Sequence, residues 1–395
     1  MKTSPLRIAG AMSLAAIGVA LLVFIARNND AGQRDFVSYW AAGQQLVHGA
    51  NPYDGTAILR IERAAGLDSA DPLIMRNPPL AFFLALPLGL VSAGTGLILW
   101  FIALLAALVV SVRTLWSLNG RPENRLHLIS YCFAPVMGCL MLGQLGIFLL
   151  LGMVLFLYFH RSRPFLAGAA LLLCAVKPHL FLPFAIALVV WVVGNKAYRI
   201  LAGGAAALLG SCVLAFCVDR HAWIQYSQMM NDAGLKDVAL FTLSKYFRLA
   251  VAPGAFWLQF LPQAVASAWA LWYALTRRKN WRWLNQGLLV LLVSVMCSPY
   301  SWLTDEAVLL PAILVGLYQA DESRRSLLPF GLFGGAAIVE LLVGVPIASP
   351  FFLWTTPAWF AWYLFATGRI GATGRRAPWP GQGKSANPGN RPADS

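Results

Sequence analysis

The chain has 395 residues, of which 59% are hydrophobic and 12% charged, and its formal net charge is +14. A charged share about half that of an ordinary globular domain excludes a soluble single-core protein and points to a polytopic membrane protein. The positive balance is not a nucleic-acid signal: the basic residues fall in short clusters between apolar runs and in the tail, the pattern of cytoplasmic loops facing anionic lipid.

Apolar runs recur to residue 366, and a helix needs roughly 20 such residues to cross a bilayer. Backbone polar groups find no water in lipid, so the runs are predicted to be helices; a barrel would show short alternating segments. The first run, Ile8 to Ala26, is long for a signal peptide and lacks a clear small-residue cleavage site, so it reads as a retained span. Lys2 and Arg7 place the N-terminus on the cytoplasmic side. The loop 27–77 is then external, periplasmic in a Gram-negative bacterium. Within it, Tyr39 to Gly49 and Thr56 to Ala65 read as short helices. Asn51-Pro52-Tyr53-Asp54-Gly55 between them is a turn by its chemistry.

Residues 78–113 are mostly apolar but broken at Ser92-Ala93-Gly94-Thr95-Gly96. They fit two short spans, or one span plus a partly inserted helix; the basic Arg113, Arg121 and Arg125 favour the second. Further runs cover 127–142, 145–159, 165–176, 178–194, 200–217, 250–275, 284–298, 306–319, 327–345 and 350–366. The basic connectors His160 to Arg163, Asn195 to Arg199, Arg277 to Lys279 and Arg324-Arg325 fit a cytoplasmic side for alternate loops. That leaves Gln144, the Lys177-Pro178-His179 break, 219–248 and 299–305 on or near the external side. The total is about eleven or twelve spans at the usual length of a membrane helix. Residues 1–366 read as one integral membrane domain, with 27–77 as its catalytic loop. Residues 367–395, rich in Gly, Pro, Arg and Ser, read as a disordered cytoplasmic tail.

The six cysteines lie within or at the ends of apolar runs and show neither C-x-x-C nor a Cys/His ligand spacing, so they read as small buried hydrophobes. No metal site and no cofactor are expected. Neither a Walker-type loop nor a strand-borne G-x-G-x-x-G is present, which argues against a nucleotide-driven pump and a soluble sugar-nucleotide transferase.

Asp35 opens the long loop just after the first span. A carboxylate there serves as a general base, a cation site or a solvated charge, and Tyr39 and Trp40 set it at the membrane interface. Asp30, Asp54, Asp68 and Asp71 compete in the same loop; Asp54 falls in the turn and reads as structural. Lys177 interrupts an apolar run at a cost of about 2.5–3.5 kcal/mol on insertion scales, which marks it as a functional candidate. Pro178 removes a helix donor, so the backbone can break there and line a cavity. A cation beside such a break suits a lipid phosphate, with His179 as a second donor; a lysine snorkelling to the headgroups is the plain alternative. Gly143-Gln144 is a polar pair in a greasy setting. Ser298 to Glu306 reads as a short external loop, its aromatics as interface anchors or its acids as helix caps. Glu340 lies within an apolar run with no partner legible.

Taken in order, Asp35-Phe36-x-x-Tyr39-Trp40-x-Ala42-Gly43, Gly49 to Asp54, Asn77-Pro78-Pro79-Leu80, Gly143-Gln144, Lys177-Pro178 and Ser298-Pro299-Tyr300-Ser301-Trp302 resemble glycosyltransferase family 87 over residues 8–320. The resemblance implies a GT-C-type bundle in the cell (inner) membrane. It implies an enzyme that moves a sugar, mannose first, from a polyprenyl-phosphate donor to a hydroxyl of a glycolipid or glycan acceptor. By that resemblance Asp35 is the base and Lys177 binds donor phosphate, with His179 and Arg34 beside it. Tyr39, Trp40, Gln144, Tyr300, Trp302 and Asp305 are then candidate substrate contacts. Membrane lipids are the other expected partners; nucleic acid is not. The rival reading is a multi-pass lipid or polysaccharide transporter or flippase, which also uses broken helices and intramembrane charges. The single long loop and the lack of matched halves speak against it.

Overall fold

The computed structural model describes residues 32, 34–232 and 242–369. The predicted first span, Asp30 and the tail from residue 370 lie outside the described residues. What is described is an all-α polytopic membrane fold with no strand among the described residues.

The loop after the first apolar run folds into two helices, α1 (Phe36–Val47) and α2 (Gly55–Ala64). Asp54 closes the turn between them by accepting from the backbone N–H of Thr56 and Ala57, a side-chain N-cap. Residues 78–113 form one helix long and apolar enough to cross a membrane and one that is shorter. A short broken helix, Pro79–Leu90, precedes α3 (Ala93–Leu118). Gln44 Nε2 and Trp40 Nε1 donate to the carbonyls of Gly89 and Val91, which seats α1 along that short helix. Beyond α3 come α4 (Ala134–Leu142), α5 (Gly146–Phe159), α6 (Pro164–Ala170), α7 (Leu182–Asn195) and α8 (Tyr198–Val218). The second half comprises α9 (Ala222–Asp232), α10 (Leu243–Val251), α11 (Leu261–Arg277), α12 (Leu288–Met296), α13 (Leu310–Glu322), α14 (Leu328–Leu342) and α15 (Thr355–Ala366).

Among the described residues, three helical stretches are long and apolar enough to cross a membrane: α3, α8 and Leu303–Glu322, which contains α13. Six more apolar helices are shorter, Gly146–Phe159 and Leu182–Asn195 among them. At 1.5 Å per residue, α3 extends roughly 39 Å, more than the hydrocarbon thickness. Burial separates lipid-facing helices from central ones. On α8, Leu209, Val213 and Phe216 are 65%, 60% and 55% exposed, whereas almost every residue from Leu303 to Ala320 is buried. α6 and α8 approach backbone to backbone, because a Cβ on Gly168 would stand 1.8 Å from the Ile200 carbonyl. The basic connectors follow the ends of helices that begin beside Gln144, His179 and Asp305: His160–Arg163 follows α5, Lys196 follows α7, Arg277–Lys279 follows α11, whose first turn bonds His179, and Arg324–Arg325 follows α13, while Asn124 donates to Asp321 and brings Arg121–Arg125 to the same end of the bundle. Asp35, Gln144, Lys177 and Asp305 collect at the other.

Candidate active site

Asp35 is the residue before α1, and the first turn of that helix carries Phe36 and Tyr39 into the core. Opposite it, α4 ends at Gly143 in a left-handed conformation, φ +72°, that glycine adopts without steric cost. A Cβ there would also stand 2.8 Å from the Phe36 Cβ. Trp100 on α3 donates its indole N–H to the Gly143 carbonyl at 2.7 Å, fixing the turn. The next residue, Gln144, is thereby aimed at α1. Its Nε2 donates to Asp35 Oδ2 at 2.6 Å, and its Oε1 accepts from the Tyr39 hydroxyl at 3.0 Å. The Tyr39 ring stacks on Trp100 with centroids 5.4 Å apart.

Lys177 stands where Pro178 forces a break. The lysine backbone, φ −130° and ψ 69°, has left the helical region that a following proline disfavours. The helical path stops at Ala175 and resumes at Leu182. Carbonyls freed by such a break are costly in lipid unless something else satisfies them. Here three of them have side-chain donors. Asn77 Nδ2 donates to the Val176 carbonyl at 3.1 Å and Ser294 Oγ to that of Leu180 at 2.8 Å, while Gln263 and Ser298 both donate to that of His179. The Tyr53 hydroxyl in turn holds the Asn77 carbonyl at 3.0 Å. The Lys177 ammonium then reaches Asp305 Oδ1 at 2.6 Å and sits 5.2 Å from the centroid of the Trp302 ring. Asp305 Oδ2 accepts from the Trp302 backbone N–H at 3.1 Å, which locks the carboxylate at the head of its helix.

The two clusters belong to one site. Lys177 lies near enough to Asp35 to favour its charged form. Burial outweighs that pull and the Gln144 hydrogen bond, so the Asp35 carboxyl is held above the usual carboxylate range. Cys139 Sγ, one turn before Gly143, donates to the Thr304 carbonyl at 3.1 Å and ties the Gln144 turn to the Asp305 segment.

The other sequence candidates fall in varied places. His179 packs edge-on to Tyr300, with ring centroids 5.9 Å apart. Arg34 donates to the Met141 carbonyl and lies 5.7 Å from the Phe101 ring centroid, on the side of the Gln144 turn. The Trp40 indole N–H is taken by Val91. Glu306 points away from Asp305, accepting from Thr355 at 2.5 Å and Trp359 at 2.9 Å. Glu340, without a legible partner in the sequence, accepts from the Trp354 indole at 3.3 Å. Among the described residues no group of three or more His, Cys, Asp or Glu side chains stands ready to hold a metal ion. Sequence reasoning missed the sealing roles of Asn77, Gln263, Ser294 and Ser298. For Asn77 the signal was present, an Asn-Pro-Pro at the end of the loop. It also missed Arg248, a buried cation 5.5 Å from the Phe256 centroid and close to the Tyr300 phenol, which nothing in the sequence separates from other interface arginines.

The model of glycosyltransferase family 87 matches residues 76–299, more than half of the chain. The chain belongs to glycosyltransferase family 87. The family match holds Asn77, Gln144, Lys177 and His179 and stops at Pro299, so it is shorter than the 8–320 over which the motifs run; Asp35 and Asp305 lie outside it. No curated protein and no solved structure matches the chain. Membership in family 87 makes the protein a membrane glycosyltransferase, with a sugar donor and an acceptor as its substrates. The transporter reading is set aside on that ground.

Proposed function

We propose that this family 87 member is an inverting transferase that moves a sugar, mannose first, from a polyprenyl phosphate to an acceptor hydroxyl at the outer face of a bacterial inner membrane. The observation that carries the reading is the meeting of Asp35 and Lys177, far apart in sequence, at the end of the bundle opposite the basic connectors. In the reaction, the acceptor oxygen attacks the anomeric carbon as the bond from that carbon to the phosphate oxygen breaks. The acceptor proton passes to Asp35, whose raised pKa suits a general base. The polyprenyl phosphate leaves with one more negative charge, which Lys177 offsets; Asp305 holds that ammonium in place until the phosphate arrives. Positioning and fixed charges supply most of the rate, as no covalent intermediate is needed.

The test incubates purified protein with a panel of polyprenyl-phosphate sugars and glycolipid acceptors. Transfer is expected from at least one such donor, and Asp35→Asn should lower it by about 10²–10⁴-fold, the usual worth of a general base, with unchanged folding and donor binding. Near-normal transfer in Asp35→Asn would refute the base assignment. Transfer from sugar nucleotides alone would refute the donor class.

A further inference from the structure

Asp35 has a support that its own helix does not supply. The Gln144 amide is held at both ends. An ionised carboxylate has only acceptors, so the amide nitrogen must face Asp35. The amide oxygen then faces Tyr39, whose hydroxyl has a single proton and donates it there. Tyr39 itself cannot swing away, because its ring is stacked on Trp100, and Trp100 is pinned to the Gly143 carbonyl beside Gln144. The loop Tyr39, Gln144, Gly143, Trp100 is thus closed on itself. One carboxylate oxygen, Oδ2, is occupied, and among the described residues Gln144 is the one side chain that donates to Asp35. Asp35 is half-buried, and its second oxygen is the atom left for a substrate hydroxyl.

We infer that Gln144 and Tyr39 are positioning residues for Asp35, a donor relay that presents one carboxylate oxygen of the base to the acceptor hydroxyl and favours its charged form. They are not contacts to the sugar. The inference rests on the transferase reading and deepens it. The charged and titratable groups around Asp35 are Lys177, the neighbouring Arg34, the Tyr39 phenol and, beyond Tyr39, Asp305 and Cys139. Of these, Lys177 acts with Gln144 to lower the Asp35 pKa while burial raises it.

The test uses the full chain in lipid nanodiscs and reads the infrared carbonyl band of protonated Asp35, identified as the band lost in Asp35→Asn. Gln144→Leu is expected to move its titration midpoint up by about one pH unit, the scale of a lost hydrogen bond to the charged form. Tyr39→Phe keeps the ring stack and the fold, and should move the midpoint in the same direction by less. With a polyprenyl-phosphate mannose donor, Gln144→Leu should lower kcat by about tenfold to a hundredfold, the range of a misplaced general base. The KM values for donor and acceptor should stay within about twofold, because the ground-state contacts are untouched. The acid limb of the pH profile should follow the infrared midpoint. Gln144→Asn, with a shorter amide, should restore neither quantity. An unmoved midpoint in both Gln144→Leu and Tyr39→Phe overturns the relay. So does a large rise in KM with kcat unchanged, which would make Gln144 a substrate contact. If the midpoint moves but the wild-type chain transfers from no polyprenyl-phosphate sugar, the relay stands and the donor reading falls. If Asp35→Asn abolishes transfer while the midpoint ignores Gln144, the relay falls alone.

Discussion

At the scale of single residues, the Lys177–Asp305 pair concentrates both the cost and the use of charge in the bundle. Both side chains are almost fully buried, 8% and 2% exposed. A buried pair of this kind adds little net stability over an apolar pair, but removing one partner leaves an uncompensated charge and costs about 3–5 kcal/mol. Lys177→Met should therefore lower the unfolding temperature sharply, and Asp305→Asn should be milder because an amide can still accept from Lys177. The double change Lys177→Met with Asp305→Leu should be more stable than Lys177→Met alone, although it is inactive. Thermal denaturation in detergent of the wild type, Lys177→Met, Asp305→Leu and their double variant, with Asp305→Asn beside them, checks this. Simple additivity of the two losses would show that the ammonium and carboxylate do not depend on each other. The same pair explains why Lys177 does not snorkel: its nitrogen has a carboxylate at 2.6 Å and an aromatic face beside it, so it has no need of the headgroups.

At the scale of elements, the loop formed by α1 and α2, proposed to carry the base, is also a scaffold. Its far end, Asn77, seals the broken helix at Val176, and its near end carries Asp35. Glu62 on α2 sits in the middle of this scaffold, 0% exposed, with one carboxylate oxygen accepting from the Leu73 N–H at 3.0 Å. Burial pushes its pKa from 4.5 up to about 7, with the Leu73 bond opposing. The folded state thus holds the proton more tightly than the unfolded loop does. The stabilisation this gives is fully present below pH 4.5 and is lost as the pH rises through about 7. Hydrogen exchange over residues 55–75 should therefore quicken between pH 5 and pH 8 beyond the intrinsic rate change. Glu62→Gln, which keeps the acceptor and removes the titration, should flatten that dependence. An identical pH dependence in the variant would place its origin elsewhere.

At the scale of the whole molecule, the separation of charge is the strongest statement about orientation. Basic connectors gather at one end, and the carboxylates and lysine of the site gather at the other. Cytoplasmic ends of membrane helices carry the excess Lys and Arg, so the site is expected to face away from the cytoplasm. In a background with the native cysteines replaced, Asp68→Cys and Arg161→Cys both offer an exposed position, one at each end. A membrane-impermeant maleimide added to intact cells, with the outer membrane made permeable to it, should label the first and spare the second until the inner membrane is opened. The reverse pattern would turn the protein over and with it the side on which transfer takes place.

Composition and the run of apolar segments were enough to predict an all-helical membrane protein, because lipid leaves the backbone only helices or a closed barrel, and the long unalternating runs do not suit a barrel. The order of short motifs was enough to point to the family, and Pro178 was enough to predict a break, because its missing N–H is a local fact. Pairings were not legible: Lys177 with Asp305, Gln144 with Asp35 and Glu340 with Trp354 each join separate stretches of the sequence, and a side chain carries no local mark of its distant partner. The same holds for Trp40, whose indole reads as an interface or substrate group until packing gives it the Val91 carbonyl. What the tertiary structure alone decided was which polar groups meet. In a low-dielectric bundle an unpaired buried donor or charge is costly, and only the packing of helices from distant parts of the sequence settles which partner it meets.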